Sequence, residues 1–276
     1  MTVERSMVFG TTAAQYDAYR PGYPDALVTT VLEFAGIHGA LSDVHALEVG
    51  AGTGKATVAF AGRGVQVLAV EPDPRMAELL RGNTAATGRV EVEVARFEEW
   101  SPGDRRFGLA YAAQAWHWLD PDVRRDRVYG ALAPDGTVAL FWNLVGIVDR
   151  ELFEELAAID ARWDVGLLHN SGWAGDYAGE IEASAENGWV GWEFRDDDRF
   201  TDQRSVRLRN GESWQTTRQW TDRLATHSGV QVLDPADRAE LLATTAAVLD
   251  ARGGGLDAGW FTDLFLARAG EPGHGG

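Results

Sequence analysis

The sequence predicts an α/β fold, a mostly parallel sheet flanked by helices. Two observations carry that expectation. Apolar runs of strand length alternate with helix-length amphipathic stretches through the first half of the chain, the rhythm of right-handed βαβ units. A glycine-rich stretch at residues 47–57 (LEVGAGTGKAT) joins one such strand to the next helix, where doubly wound sheets bind ligands. The 276 residues are 45% hydrophobic and 24% charged, which excludes bulk disorder and allows a full core.

Each element follows from local chemistry. Residues 24–36 open with Pro24 and close with Gly36, the pair that brackets a helix. Residues 45–50 form a short apolar run ending in glycine, and a helix pattern follows at 53–61. Residues 65–70 read as a strand that stops at Glu71-Pro72, and 74–82 as a helix. Strict alternation predicts a strand over 90–97. Strands are expected at 107–114 and 137–143, with a helix at 121–132 and a Pro-Asp-Gly turn at 134–136. Beyond Asn143 the rhythm changes. Leu152, Leu156 and Ile159 share one face of a helix at 151–163, residues 165–195 give no clear pattern, and 212–251 read as two helices around a loop. A last apolar strand spans 258–269. The expected architecture is Rossmann-like, with a helical cap inserted after the fifth strand. Its parts are a core at 1–143, a cap with late core elements at 144–257, a final strand at 258–270 and a disordered tail at 271–276.

Composition narrows the function. With no cysteine there is no disulfide framework, thiolate metal site or thiol nucleophile. The six histidines are scattered without metal-ligand spacing, so no metal is expected. A net charge of −17 argues against nucleic acid or an anionic membrane as partner. The N-terminus lacks a signal-peptide core and no apolar run approaches a membrane span, so a cytoplasmic protein is expected, monomeric or homodimeric. Lys55 is the sole lysine.

The glycine stretch excludes two nucleotide motifs. A dinucleotide fingerprint would need glycine where Lys55 stands, and a phosphate loop would need glycine at Val49 and Ser or Thr at Ala56. Glu48, Gly50, Gly52 and Gly54 instead fit an acid-x-G-x-G-x-G pattern. Glycines let a ligand approach the backbone, and a carboxylate at the strand end suits a cation such as the ammonium of S-adenosylmethionine. Glu71, ending the next strand, can accept both hydrogen bonds of a ribose diol.

Taken together the motifs resemble the class I S-adenosylmethionine-dependent methyltransferases, closest to the small-molecule type that includes trans-aconitate methyltransferase-like and UbiE-like proteins. The resemblance covers residues 8–143, and in the later cap it matches only in outline. It implies a seven-stranded Rossmann-like sheet, S-adenosylmethionine as donor and S-adenosylhomocysteine as product. It places Glu71, Pro72 and Met76 beside the ribose, and Arg96, Phe97 and Glu98 beside the adenine. Gln114, His117 and Trp118 come next to the transferred methyl, and Tyr16, Tyr19, Arg20 and Tyr23 in a lid over cofactor and substrate. A small-molecule acceptor is the implied partner, a secondary metabolite methylated at oxygen, nitrogen or carbon. The alternatives are carboxyl methylation of a small polycarboxylate and a non-catalytic cofactor-binding protein.

Each residue also has a plainer reading. Phe97 is either an adenine-stacking face or a core residue, and Glu98 either caps the adenine amino group or is a solvated acid. His117 is either a general base or a histidine that packs and hydrogen-bonds locally. Gln114 contacts the donor or orients the acceptor. The eleven tryptophans, most at or beyond Trp142, either line an aromatic pocket or glue cap to core. Arg20, Arg204 and Arg207 are candidates to hold an acidic acceptor. Alternatively Arg204, Arg207 and Arg209 mark a solvated edge strand.

Overall fold

The computed structural model describes residues 22–38, 44–165, 171–177 and 191–270. Tyr16, Tyr19, Arg20, Trp189 and the 271–276 tail lie outside the described residues, as does the side chain of Trp192.

Helix α1 (Asp25–Phe34) starts after an extended Pro24 and buries Leu27, Val28, Val31 and Leu32, one helical face. It ends two residues before the expected Gly36, which follows in a left-handed turn at φ +68°. Strand β1 (His45–Val49), helix α2 (Lys55–Gly62), strand β2 (Gln66–Glu71), helix α3 (Pro74–Thr84) and strand β3 (Val90–Val94) then alternate. Asp73 caps α3 by accepting the Arg75 N–H, with Pro74 at the first helical position. Strand β3 stops at Val94, short of the expected 97, because its one neighbour β2 ends opposite it at Glu71. Strand β4 (Phe107–Ala113), a 3-10 turn at Trp116–Trp118, helix α4 (Arg124–Ala131) and strand β5 (Leu132–Ile147) complete the first half.

The sheet order is β3-β2-β1-β4-β5-β8-β7. Strands β3 through β5 pair in parallel. Strand β8 (Gly255–Ala269) runs antiparallel to β5, and β7 (Phe200–Thr216) antiparallel to β8. A three-residue strand β6 (Ser171–Trp173) pairs with β5 at Val145–Ile147, beyond the point where β4 has left the sheet. Side-chain alternation divides the core. Leu47, Val49, Leu140 and Phe265 face one side, and Ala46, Ala139, Phe141 and Leu264 the other.

Strand β5 extends past its expected end because it pairs with β8 as far as Ile147, while β8 begins at Gly255 rather than Ala258, where Gly255, Leu256 and Asp257 pair with β7. The Pro-Asp-Gly segment lies within β5 as an irregularity, with Asp135 at φ +59°. Strand β7 agrees with the edge-strand reading of Arg204, Arg207 and Arg209 but is longer than that run, and its last residues displace the start of the expected 212–251 helices to Thr217. The cap therefore comes from two places in the chain. Helix α5 (Arg150–Trp163) follows β5. Helices α6 (Thr217–Ala225), α7 (Ser228–Gln231) and α8 (Pro235–Ala251) lie between β7 and β8. Leu152, Leu156, Trp220, Leu224, Leu241 and Leu249 pack together on Val145, Ile147, Leu256 and Ala258, so the helices close over the carboxyl end of β5. Among the described residues, no helix is long and apolar enough to cross a membrane.

Candidate active site

The glycine loop takes a path closed to other residues. Gly50, Gly52 and Gly54 have φ of +67°, +58° and +88°. A Cβ on Gly50 would lie 2.6 Å from the Ala115 Cβ, and one on Gly54 2.8 Å from Leu80 Cδ1. Both positive φ and space demand glycine there. The loop is tied to β2, since Gly50 N–H donates to the Val70 carbonyl at 2.9 Å.

Glu48 is fully buried beneath this loop. Its Oε2 accepts from Thr57 Oγ1 at 2.5 Å and from the Tyr111 hydroxyl at 3.0 Å. Its Oε1 is buried with no hydrogen-bond partner. Burial raises the pKa to about 8, against the pull of the Thr57 and Tyr111 hydrogen bonds. Tyr111 is held by a stack on Phe60 at 4.3 Å. Glu71 folds back on the loop. Its oxygens accept from Gly52 N–H at 2.8 Å and from Asp73 N–H at 3.0 Å, which leaves each a second lone pair. Burial raises its pKa to about 7.

An open cleft of about 440 Å³ sits over the loop, with Glu48, Gly50, Gly52 and Gln114 among its walls. Gln114 leaves β4 at φ +58°, a conformation costly for a non-glycine residue. Its backbone N–H donates to Phe141 O at 2.9 Å and its Nε2 to Asn143 O at 3.1 Å. Tyr23, Thr53, Lys55 and Asn143 line the same cleft. Of these, Thr53, Lys55 and Asn143 had no predicted site role. Asn143 looked like an ordinary strand end, and Lys55 gained a place only once α2 began at its own position.

Residues 46–136 match a family described as a methyltransferase domain. An uncharacterized methyltransferase of Mycobacterium tuberculosis is 34% identical over 140 residues, 51% of this chain and 54% of that protein. An uncharacterized methyltransferase-like protein of Schizosaccharomyces pombe is 31% identical over 139 residues, 49% of this chain and 51% of that protein. The chain thus spans about half the length of these curated relatives. Among solved structures, a candidate type II methyltransferase from Anaeromyxobacter dehalogenans superposes with a TM-score of 0.56 at 22% identity, covering 91% of this chain and 98% of that one. Phosphoethanolamine N-methyltransferase 2 of Haemonchus contortus, solved with phosphomonomethylethanolamine and S-adenosylhomocysteine, gives 0.52 at 17% identity, covering 98% of this chain and 59% of that one. These likenesses show that the fold is the Rossmann-like methyltransferase fold.

The fold brings some predicted residues together and separates others. Met76 is buried beside Gly52. Phe97 is 2% exposed and stacks on Trp100 at 6.0 Å, in the core position. Arg96 pairs with Glu98 at 3.5 Å, and Glu98 accepts the Asp120 N–H at 3.1 Å, so Glu98 is tied into the loop rather than free in solvent. His117 keeps a solvent-facing side, and its Nδ1 accepts from Trp142 Nε1 at 3.1 Å. That bond places the neutral proton on Nε2 and occupies the lone pair a base would use. Packing between Trp118 and Trp142 lowers its pKa to about 4, helped by the Arg124 charge.

Arg204 and Arg207 do not converge. Three residues apart on β7, they leave opposite faces of the sheet. Arg204 lies over Phe34 at 5.2 Å. Arg207 makes a buried two-pronged pair with Asp263, both bonds 2.6 Å. The tryptophans divide similarly. Trp116, Trp142 and Trp220 are buried as packing, and Trp214 is 49% exposed on β7. Among the described residues, no group of His, Asp and Glu could hold a metal ion.

Proposed function

We propose that the chain transfers a methyl group from S-adenosylmethionine to a small-molecule acceptor. The observation that carries this reading is Glu48. A wholly buried carboxyl with one unbonded oxygen, lining a glycine-walled cleft, is a costly arrangement that an ammonium group would complete. The residues present fit the donor. Glu48 Oε1 would take the amino group, and Glu71 would use its remaining lone pairs for the ribose hydroxyls. The glycine backbone would lie against the methionine chain. The donor supplies a methyl on a positively charged sulfur, open to in-line displacement. The protein's own task is then alignment and exclusion of water. In this reading Gln114, fixed by its two hydrogen bonds, orients the reacting ends, and His117 offers Nε2–H as a donor to the acceptor.

A secondary-metabolite acceptor suits the cleft better than a polycarboxylate, because Arg207 is already matched by Asp263. Calorimetric titration with S-adenosylhomocysteine tests the donor site. Micromolar binding, lost in Glu71→Ala, is expected, and no binding to the unaltered protein even with acceptors present would sink the reading. Turnover of a labelled methyl donor over an acceptor panel then separates an enzyme from a binding protein.

A further inference from the structure

We propose that Asn143 is a positioning residue that seats Gly22 and Tyr23 on the lip of the cleft, oriented by a hydrogen-bond relay from the edge of the sheet. This rests on the donor site proposed above. Asn210 Nδ2 on β7 donates to Thr262 Oγ1 on β8 at 2.8 Å. Thr262 Oγ1 donates to Asn143 Oδ1 on β5 at 2.8 Å. Asn143 Nδ2 donates to the Gly22 carbonyl at 3.2 Å. Each link sets the next. A hydroxyl has one proton, and with the Asn210 amide on its acceptor side that proton goes to Asn143. The amide oxygen of Asn143 is thereby turned to Thr262 and its NH2 to Gly22. The backbone carbonyl of Asn143 also receives Gln114 Nε2, so one residue touches both lips of the cleft.

The relay occupies apolar ground. Thr262 is wholly buried and shares a sheet face with Leu264 and Leu266. An aliphatic residue would fill that place without burying a hydroxyl. What the hydroxyl adds is direction, delivered to a residue that lines the cleft. Tyr23 is the second anchor. Its ring meets Phe141 edge-on at 4.9 Å, and it lines the cleft with Asn143 and Gln114.

Three variants test the relay in the full chain. Thr262→Val removes the proton donor at constant shape, and Thr262→Ser restores it. Asn143→Asp still accepts from Thr262 and presents no N–H to Gly22. Hydrogen exchange of the 22–28 segment is expected to rise about fivefold in Thr262→Val and Asn143→Asp, the loss of one net hydrogen bond, and to return in Thr262→Ser. S-adenosylhomocysteine should bind both damaged variants about fivefold more weakly. Unchanged exchange, no rescue by serine, or equal acceleration of amides in α8 would overturn the proposal, the last showing a merely structural role. If the unaltered protein binds no S-adenosylhomocysteine, the donor reading falls, while the exchange data still decide whether the relay seats this segment.

Discussion

Glu48 and His117 show how burial sets chemistry one residue at a time. The Glu48 carboxyl holds a proton in the folded chain up to about pH 8, whereas an exposed glutamate releases it near its ordinary value of 4.5. The folded state therefore binds more protons than the unfolded state across that window, and stability falls as pH rises through it. Glu48→Gln should raise the melting temperature, by an amount that grows from pH 5 to pH 8, and should weaken S-adenosylhomocysteine about tenfold or more. Thermal melts over that range check the first outcome, and titration the second. An ammonium beside Oε1 would favour the carboxylate, so binding at pH 7 should release a proton. Calorimetry in buffers of different ionisation heat reads that release directly. His117 is shifted the other way, its pKa lowered from 6.5 by packing between indoles and by Arg124. Its NMR titration should fall clearly below pH 6.5, with the neutral ring protonated at Nε2. A midpoint at 6.5, or a proton on Nδ1, would remove the Trp142 hydrogen bond from the account.

At the scale of elements, the added strand β7 matters most. Its sequence lacks a clean apolar alternation, since an edge strand with a largely solvated face has few positions that must be apolar. Val206 and Leu208 are the residues that pack inward on the α1 side. What recruits β7 is its partner, the long apolar β8, together with the buried Arg207–Asp263 pair across the two strands. Asp263→Ala would strand a buried guanidinium and should cost about 3–5 kcal/mol in denaturant unfolding. Replacing both, Arg207→Met with Asp263→Leu, should recover most of that loss. Equal losses in the single and double variants would show that the pair does not act as a unit. Strand β3 makes the complementary point: its apolar alternation at Val90, Val92 and Val94 breaks at Arg96, and its pairing with β2 also ends at Val94.

For the whole molecule, the cap helices share one apolar cluster with the carboxyl end of β5 and the start of β8. Leu241 and Leu249 of α8 pack with Val145 and Ile147 of β5, so neither part buries its apolar face alone. A single calorimetric transition, with calorimetric and van't Hoff enthalpies equal, is expected for the free protein. Two resolved transitions would show that the cap melts by itself. The order of the βαβ core, the glycine turn and the placement of Glu48 and Glu71 were all legible in the sequence. They depend on local rules, namely residue periodicity, backbone angles that glycine alone tolerates, and which residue ends a strand. Only the tertiary structure decided that Arg204 and Arg207 diverge, that Phe97 lies in the core and that the His117 lone pair is occupied. It alone brought Asn143, Thr262 and Asn210 into line across three strands. The His117 and Asn143 outcomes depend on partners 25 and 119 residues away in the chain, and pairing over such separations is set by how the whole sheet closes rather than by any stretch of sequence.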